Sequence, residues 1–457
     1  MQLEVIILAA GQGSRMRSHL PKVLHSLAGR PLLQHVLDTA KALEPVAIHV
    51  VVGHGAQQLK EALASEPVSW VEQEQQLGTG HAVLQALPRI AEGSTVLVLY
   101  GDVPLINVAT LQTLVAQAAE VPALLTVNLA NPAGYGRIMR DGSGALVGVV
   151  EHKDANADQL LLSEVNSGVM AAPVSILQRF LPAVGNDNQQ AEYYLPEVLS
   201  LAVAAGMSVK TSMADDEWEV MGVNDQLQLS QLERELQQRR ARSLLLAGVR
   251  LADPARIDVR GKLECGRDVF IDINCVFIGD VVLGDDVQVG PNCVLRDVTV
   301  GNGTEIQAMS HLQQAKIGND CAVGPYARLR PDTVLADRAR VGNFVETKKA
   351  NIGIGSKVNH LSYIGDCEIG ASANIGAGTI TCNYDGVNKH QTRIGDDAFV
   401  GSNATLVAPV EVANRGFVAA GSTITSHVAE GELAVGRGKQ RNIQGWKRPG
   451  KPPTSKD

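Results

Sequence analysis

The sequence predicts a Rossmann-like α/β domain with a mixed, mostly parallel sheet, followed by a parallel β-helix of hexapeptide repeats. In the first half of the chain, short apolar strands alternate with helical segments, a pattern typical of a sheet covered by helices. In the second half, an aliphatic residue followed by a small one recurs every six residues, which fits a short strand plus a tight turn. A chain of 457 residues is long enough for two hydrophobic cores.

Composition and charge exclude several classes of protein. The net charge of −8 argues against nucleic acid as a partner. The N-terminus has no basic region before its first strand, and no segment is apolar over the length of a membrane span. We therefore predict a cytoplasmic protein with no membrane partner. All six cysteines fall between Cys265 and Cys382 without a CxxC pair, which predicts buried thiols and not a zinc site.

The first predicted strand, Leu3–Ala9, runs into a glycine-rich turn that precedes Arg15 and Lys22. Backbone amides in such a turn can approach phosphate oxygens closely, and the two cations add countercharge. The turn lacks the GKS/T ending of a Walker loop, and Met16 stands where a dinucleotide fingerprint has its third glycine. On spacing alone, an ordinary glycine turn and a phosphate-binding turn are equally compatible with the sequence.

Three further polar segments follow predicted elements of the same domain. Asp102 comes directly after a strand, at the sheet edge where the glycine-rich turn also lies, and its carboxylate can hold Mg²⁺. A loop containing Gln73 and residues 77–79 is suited to contacting a base edge, and residues 134–137 and 151–153 flank a hairpin that could line a sugar pocket. The neighbouring elements are predicted as helices Leu32–Leu43 and Ala56–Ala64 and strands Ala47–Val52 and Val96–Tyr100.

A helix over residues 226–246 is predicted to separate the two domains. Gln, Leu, Glu and Arg dominate this segment, no Gly or Pro interrupts it, and Gly248 ends it. We interpret it as a rod whose charged residues, 233–235 and 239–240, form a solvated face. The predicted division is 1–225 for the α/β domain, 226–247 for the linker and 248–457 for the β-helix with its tail.

The repeats could serve only as a scaffold, but two exceptions to their pattern indicate a binding site. Three hexapeptides make one coil, so residues eighteen apart lie over one another. Arg330 and Lys348 are eighteen apart, in a position that is otherwise mostly Gly or Ala. Two stacked cations would repel each other by about 1–4 kcal/mol. A bound anion such as a sugar phosphate would offset that repulsion.

His360 and an insertion that interrupts the repeats point to chemistry near these cations. A single histidine is more often structural, but beside an anion site it is a candidate general base near neutral pH. The insertion, residues 381–390, must leave the coils and is predicted to project outward, and loops on rigid scaffolds tend to carry function.

The residues quoted above carry a resemblance to a known family. The segment from Leu8 to Met16, with Pro21 and Lys22, is similar to the signature of sugar-1-phosphate nucleotidylyltransferases, although Ser14 replaces the more usual Thr. Over essentially its whole length the chain resembles the bacterial bifunctional N-acetylglucosamine-1-phosphate uridylyltransferase/glucosamine-1-phosphate N-acetyltransferases. The resemblance implies an α/β nucleotidyltransferase domain followed by a left-handed parallel β-helix.

The resemblance also implies the residues of a uridylyl-transfer site. Arg15 and Lys22 would stabilise charge that develops on the triphosphate, and Asp102 and Asn224 would hold Mg²⁺. The residues implied to bind UTP or UDP-N-acetylglucosamine are Leu8, Ala9, Ala10, Gly11, Lys22, Gln73, Gly78, Thr79, Tyr100, Gly101, Asp102, Gly136, Glu151, Asn166 and Asn224. Among these, Gly136, Glu151 and Asn166 would recognise the sugar.

A second site, for acetyl transfer from acetyl-CoA, is implied in the β-helix, at the subunit boundaries of a homotrimer. His360 would act as the general base. Glucosamine 1-phosphate would be bound by Arg330, Lys348, Tyr363 and Asn374, and acetyl-CoA by Ala377, Asn383, Tyr384, Ser402, Ala420 and Arg437.

The implied enzyme makes UDP-N-acetylglucosamine for peptidoglycan and lipopolysaccharide synthesis, by acetylation and then uridylylation. One alternative is a monofunctional nucleotidylyltransferase whose β-helix serves only assembly or regulation. A non-enzymatic trimeric scaffold is the third possibility, and it leaves the glycine-rich turn and Asp102 without a purpose.

Overall fold

The computed structural model describes residues 2–450. The chain divides into two compact units, Met1–Arg240 and Ala241–Asp457, called unit 1 and unit 2 below. The division falls inside a helix, Gln226–Leu246, that covers the predicted linker. The predicted C-terminal domain extends to residue 457, and its last seven residues lie outside the described part of the chain.

Unit 1 is an α/β unit built on a mixed sheet. Its strands are β1 (Leu3–Ala9), β2 (Ser26–Leu27), β3 (Arg30–Pro31), β4 (Ala47–Val52), β5 (Ser69–Glu72), β6 (Thr95–Tyr100), β7 (Ala123–Asn128), β8 (Arg137–Arg140), β9 (Leu146–Val150), β10 (Glu164–Pro173) and β11 (Lys210–Met213). Its helices are α1 (Leu32–Lys41), α2 (Ala56–Ala62), α3 (Thr79–Ala86), α4 (Val108–Gln117), α5 (Ala157–Leu160), α6 (Val174–Phe180), α7 (Glu197–Ala204) and α8 (Gln226–Leu246). The predicted α1 and α2 thus run two residues too far.

The main sheet has the order β11-β7-β10-β6-β1-β4-β5, and only β10 runs antiparallel to its neighbours on this path. The predicted hairpin forms from β8 and β9 and joins the sheet through β10. Strands β1 and β6 are parallel neighbours, with Leu8 opposite Tyr100. Their carboxyl ends therefore lie side by side, which brings the glycine-rich turn next to Asp102.

The first part of α8 belongs to unit 1 and packs within it, which the interpretation of this segment as a rod between the domains did not include. Leu232 is fully buried in a cluster with Leu27, Leu32 and Val223. The charged residues are not a solvated face. A Glu233 carboxylate oxygen accepts the Ala28 backbone N–H at 2.6 Å. Burial lowers the pKa of Arg240. The helix sequence has no clear apolar stripe that would predict this packing. The residues that it contacts are also far away in the sequence.

Unit 2 is a parallel β-helix with three faces. One face consists of Arg250–Leu251, Phe270–Ile271, Gln288–Val289, Glu305–Ile306, Ala322–Val323, Arg340–Asn343, Lys357–His360, Asn374–Ile375, Phe399–Val400, Phe417–Val418 and Leu433–Ala434. The other two faces consist of Ile257–Cys265, Cys275–Leu283, Val294–Arg296, Thr299–Val300, His311–Gln313, Ala315–Ile317, Arg328–Leu329, Thr333–Leu335, Glu346–Ile352, Tyr363–Ile369, Ile380–Cys382, Thr392–Ile394, Thr405–Val407, Val410–Val412 and Thr423–Ile424.

The aliphatic residue of each hexapeptide points into the coil. On one face, Val323, Val341 and Val358 stack on successive coils and are fully buried. Burial of each such side chain stabilises the fold by roughly 1.5–3 kcal/mol. Many coils have eighteen residues, as from Ala322 to Arg340, or seventeen, as from Arg340 to Lys357. The coil from Asn374 to Phe399 is longer because it contains the insertion. Residues eighteen apart therefore lie over one another only on the coils of eighteen residues.

The cysteines follow the same inward pattern with two exceptions. Cys275, Cys293, Cys321 and Cys367 are buried, and burial raises the pKa of the Cys293 thiol to about 11. Cys265 and Cys382 are only half-buried, so the prediction of buried thiols is wrong for these two. Within residues 2–450, no cluster of three or more His, Cys, Asp or Glu side chains could hold a metal ion. That part of the chain also contains no helix long and apolar enough to cross a membrane.

Candidate active sites

An open cavity of about 230 Å³ lies at the carboxyl edge of the unit 1 sheet. This edge is where α/β sheets bind ligands. The cavity is lined by Leu8, Ala9, Ala10, Gly11, Lys22, Val23, Gln73, Gln76, Gly78, Thr79, Ala82, Tyr100, Asp102 and Glu192. The prediction did not include Val23, Gln76, Ala82 or Glu192. Of the predicted residues, Arg15, Gly101, Gly136, Glu151, Asn166 and Asn224 are not part of this lining.

A cationic and an acidic side chain meet on one side of the cavity. The Lys22 ammonium group contacts the Asp102 carboxylate and lies 3.4 Å from the Asn224 Oδ1 atom. Arg15 donates a second hydrogen bond to that oxygen at 2.9 Å. The Lys22 and Asp102 side chains are only 15% and 16% exposed, so water screens their charges weakly. The structure thus brings Asn224 to Asp102 although they are 122 positions apart.

The same oxygens fit a hard divalent cation. Asp102 and Asn224 both reach one cationic group, the Lys22 ammonium, so their oxygens converge on a common point. Mg²⁺ prefers oxygen ligands and is usually held by one or two protein groups, with waters and substrate phosphates as the remaining ligands. These two side chains are therefore a suitable donor set for Mg²⁺ bound together with a nucleotide.

The predicted sugar-binding residues form a second group that adjoins the cavity at Tyr100. The Tyr100 hydroxyl is hydrogen-bonded to Thr79, and its pKa is raised by burial and by the negative charge of Glu151. Glu151 lies beside Gly136, with its Oε1 atom 3.1 Å from where a Cβ atom would stand. The Asn166 backbone N–H donates to the Gly136 carbonyl at 2.8 Å. Burial also raises the pKa of Glu151.

A segment that the sequence did not indicate fixes the second polar loop of the cavity. Tyr193 exchanges backbone hydrogen bonds with Leu77 and Gly80, both at 2.8 Å. The Leu195 N–H donates to the Thr79 hydroxyl at 3.0 Å. More than one hundred residues separate the two segments, and no local sequence pattern predicts that they pair. They hold the Gly78–Thr79 backbone at the mouth of the cavity.

Gly168 leaves room for the Tyr100 ring, and its substitution tests that role. Its φ is 85°, and an added Cβ atom would lie 2.6 Å from Tyr100 Cε2. We expect Gly168→Ala to displace the ring and to lower kcat/KM, for the uridylyl transfer that the resemblance implies, by about tenfold or more, because small misplacements are costly. Steady-state kinetics check this, with Gly144→Ala as control, because Gly144 has a φ of 86° and its added Cβ atom meets open space. Equal rates for the two variants would contradict the role of Gly168.

In unit 2, Arg330 and Lys348 lie over one another as predicted. Arg328 pairs with Glu346 and Leu329 with Thr347, so the next pair in register is Arg330 with Lys348. The guanidinium group of Arg330 forms an ion pair with Glu346 at 2.7 Å. Repulsion between the two cations is thus partly offset within the protein, which the sequence analysis did not anticipate.

The insertion adds a third cation to this pair. The Lys389 ammonium group lies against that of Lys348, and this contact, with the charge of Arg330 added, lowers the pKa of Lys348. The negative charge of Asp366 has the opposite effect and raises the pKa of Lys348. Lys389 was not predicted, because nothing in the sequence fixes where an insertion returns to its scaffold. Residues 384–389 are exposed as expected, whereas Thr381 and Asn383 are buried, so the insertion projects outward only in part.

His360 stands on the neighbouring face with one ring nitrogen engaged. Its Nδ1 atom is 2.9 Å from the Asn343 Oδ1 atom, and the two residues are opposite each other on adjacent coils. Because an amide oxygen only accepts hydrogen bonds, this contact places the proton on Nδ1 and leaves Nε2 free to accept one. His360 is exposed, so a substrate can reach Nε2. The predicted Asn374 lies on the same face, on the next coil.

Four more predicted residues of unit 2 follow one edge of the solenoid. Ala377, Ser402 and Ala420 each come two residues after the stacked positions Ile375, Val400 and Val418, so they lie on successive coils. Arg437 donates a hydrogen bond to the Ala420 carbonyl.

The insertion carries two further predicted residues, Asn383 and Tyr384. Asn383 is held by Asp366, while Tyr384 is exposed, with the Lys389 ammonium 5.8 Å from its ring centre. The predicted Tyr363 is opposite Glu346 in the strand register, which places it beside the partner of Arg330. Through Asp366 and Lys389, both residues of the insertion are linked to groups that act on Lys348.

Comparisons with known proteins place the chain in a family. The family model of the MobA-like NTP transferase domain matches residues 5–247, and that of the GMPPB C-terminal domain matches residues 259–352. The bifunctional protein GlmU of Marinobacter nauticus is 56% identical over 450 residues, which cover 98% of this chain and 99% of that protein. The bifunctional protein GlmU of Cellvibrio japonicus is 57% identical over 448 residues, with the same coverage. The chain belongs to the GlmU family.

Membership of the GlmU family confirms two predictions. The predicted fold class is confirmed, with an α/β nucleotidyltransferase domain before a domain of parallel strands. The prediction of a bifunctional enzyme of UDP-N-acetylglucosamine synthesis, with uridylyltransferase and acetyltransferase activities, is also confirmed. The monofunctional alternative is not favoured, because the similarity covers the whole length of these bifunctional relatives.

Proposed function

We propose that each unit carries out one of the two reactions. Unit 2 acetylates glucosamine 1-phosphate with acetyl-CoA, and unit 1 transfers UMP from UTP to the N-acetylglucosamine 1-phosphate so formed, releasing pyrophosphate. The observation that carries this assignment is that each unit has its own cluster of phosphate-compatible cations beside a reactive group. In unit 1 the cations are Arg15 and Lys22, and the acidic group is Asp102. In unit 2 the cations are Arg330 and Lys348, and the proton acceptor is His360.

In acetyl transfer, the cationic site holds the phosphate and His360 handles the proton. Arg330, Lys348 and Lys389 bind the sugar phosphate, which relieves the repulsion that lowers the pKa of Lys348. The 2-amine of the sugar attacks the thioester carbonyl, Nε2 of His360 takes the amine proton, and the CoA thiolate leaves and is protonated.

Tyr363 and Asn374 orient the sugar, and the edge residues bind acetyl-CoA. This edge is formed by Ala377, Asn383, Tyr384, Ser402, Ala420 and Arg437. Their succession on adjacent coils suits an elongated co-substrate.

In uridylyl transfer, positioning and charge neutralisation account for most of the catalysis. A phosphate oxygen of the sugar phosphate attacks the α-phosphorus of UTP in line, and pyrophosphate leaves. The glycine-rich turn and Arg15 and Lys22 bind the triphosphate, while Gln73 and the Gly78–Thr79 backbone contact the base. Gly136, Glu151 and Asn166 bind the sugar. Mg²⁺ held by Asp102 and Asn224 would neutralise phosphate charge.

An exposed apolar row in unit 2 supports the proposal of a homotrimer. Met309, Tyr326, Phe344 and Leu361 occupy corresponding corners of successive coils and are 46–61% exposed. The rings of Tyr326 and Phe344 stack with centroids 5.3 Å apart. Contiguous exposed apolar patches are typical of protein interfaces, and a second and third copy of this chain would bury the row.

We further propose a cytoplasmic location and a role in supplying peptidoglycan and lipopolysaccharide precursors.

Assays of both half-reactions on the purified protein, each with four sugar phosphates as substrates, test the proposal. Thiol release from acetyl-CoA is expected with glucosamine 1-phosphate, and pyrophosphate release from UTP with N-acetylglucosamine 1-phosphate. The corresponding galactose-configured compounds are expected to react at least tenfold more slowly, since hydrogen-bonded sugar sites discriminate strongly. Absence of thiol release would contradict the assignment of unit 2, and absence of pyrophosphate release that of unit 1. Light scattering of the same sample measures the number of copies.

A further inference from the structure

Arg137 is a buried cation in unit 1 that the proposed chemistry does not use. Its side chain is 2% exposed, and it is among the largest fully buried side chains in the described chain. Within residues 2–450, no carboxylate forms an ion pair with it. A buried charge without a counterion is costly unless its hydrogen bonds are satisfied. An arginine in this position therefore needs a structural or functional reason.

Backbone carbonyls take the place of a counterion. One terminal nitrogen of the guanidinium donates to the Pro132 carbonyl at 2.8 Å and to the Tyr135 carbonyl. The other donates to the Leu160 carbonyl at 3.4 Å. The Nε atom is buried without a partner. The guanidinium thus joins the loop of residues 132–136 to the end of α5.

This loop carries residues on two sides of the proposed uridylyl-transfer site. Gly136 lies beside the Glu151 carboxylate, and its carbonyl accepts the Asn166 N–H. The Tyr135 hydroxyl is hydrogen-bonded to the Gly222 backbone, and the next residue, Val223, donates its N–H to the Asp102 carbonyl at 2.9 Å. A shift of the loop would therefore move the sugar side of the site directly, whereas it reaches Asp102 only through Gly222 and Val223.

We propose that Arg137 is a positioning residue for sugar-phosphate binding in unit 1. By tying the Pro132 and Tyr135 carbonyls to the Leu160 carbonyl, it fixes Gly136 against Glu151 and closes the sugar end of the site. Arginine suits this task because its planar fork donates several hydrogen bonds in fixed directions, whereas lysine is a compact charge on a flexible stem. The proposal rests on the proposed function, in which Gly136, Glu151 and Asn166 bind the sugar.

The test compares three arginine variants of the full-length protein. In Arg137→Met, we expect KM for N-acetylglucosamine 1-phosphate to rise about tenfold while KM for UTP stays within about twofold. Arg137→Lys keeps the charge and should recover part of the loss. Arg140→Met is the matched control, because Arg140 lies on the same strand but is paired with Glu164, and its KM values should not change. Hydrogen exchange of residues 132–136 and 156–162 should quicken in Arg137→Met only.

Glu151→Gln separates failure of this proposal from failure of the proposed function. If Glu151→Gln raises KM for the sugar phosphate and Arg137→Met does not, the positioning role is wrong and the sugar site stands. If neither variant changes that KM, both the sugar assignment and the role of Arg137 are wrong. If Arg137→Met raises both KM values equally, with a lower melting temperature, the residue only stabilises the fold. Thermal unfolding of each variant and its acetyl-transfer rate accompany these measurements.

Discussion

Asp102→Ala should abolish uridylyl transfer, with kcat at least about 10³-fold lower, and leave acetyl transfer within twofold of the unaltered protein. The Asp102 carboxylate is 16% exposed and touches the Lys22 ammonium, beside the Asn224 amide oxygen. Its removal takes away one of two proposed Mg²⁺ ligands and leaves a shielded lysine without its partner. Loss of a single preorganised electrostatic group commonly costs 10²–10³ in kcat, and here two functions of one carboxylate are lost. Pyrophosphate release at saturating UTP measures the effect.

The matched control is Asp38→Asn. Asp38 is also a carboxylate of unit 1 paired with cations, namely Arg30 and Lys41, but it lies outside the cavity. Asp102→Asn keeps the side-chain volume and one oxygen, so its activity should recover in part at high Mg²⁺ concentration. Undiminished activity of Asp102→Ala at saturating Mg²⁺ would rule out the metal role. Loss of acetyl transfer as well would indicate misfolding.

The fold could be predicted because its periodic signals are local. Each hexapeptide places its aliphatic residue inward independently of distant parts of the chain, as Val323 and Val341 illustrate. The repeat of this pattern therefore predicts the solenoid from the sequence alone. The packing of α8 gives the opposite case. Its charged residues contact Ala28 and Asp216, which lie outside the helix, and no property of the helix itself specifies those contacts.

In the candidate sites, too, some contacts could be predicted from local sequence patterns and others could not. The proximity of Arg330 and Lys348 could be predicted from the sequence, because the repeat fixes the spacing of residues on adjacent coils. The proximity of Lys389 to Lys348 could not be predicted, because it depends on the path of an insertion with its own turns. In unit 1 the glycine-rich turn and Asp102 follow adjacent parallel strands, so their proximity follows from the strand order. The pairing of Tyr193 with Leu77 and Gly80 has no counterpart in any local pattern.

His360→Ala should remove acetyl transfer, with kcat lower by about 10²–10⁴-fold, while uridylyl transfer stays within twofold. General-base catalysis contributes an effect of this size. The Asn343 amide oxygen accepts from Nδ1, so Nε2 is free to accept the proton of the attacking amine in the proposed reaction. An exposed side chain on a coil supported by the buried Val358 can be shortened without opening the core. Thiol release from acetyl-CoA measures the effect, and His427→Ala, another exposed histidine of unit 2, is the control.

Asn343→Leu distinguishes a base from a residue that only binds substrate. It removes the acceptor that holds the proton on Nδ1, so a larger fraction of His360 rings would carry the proton on Nε2, where they cannot act as the base. We expect kcat to fall about tenfold with little change in KM for glucosamine 1-phosphate, because in the proposed function Arg330, Lys348 and Lys389 bind the phosphate and this pair does not. A rise in KM at constant kcat would show that His360 and Asn343 serve binding. Retained acetyl transfer in His360→Ala would exclude the histidine as the base, and loss of both activities would indicate a folding defect.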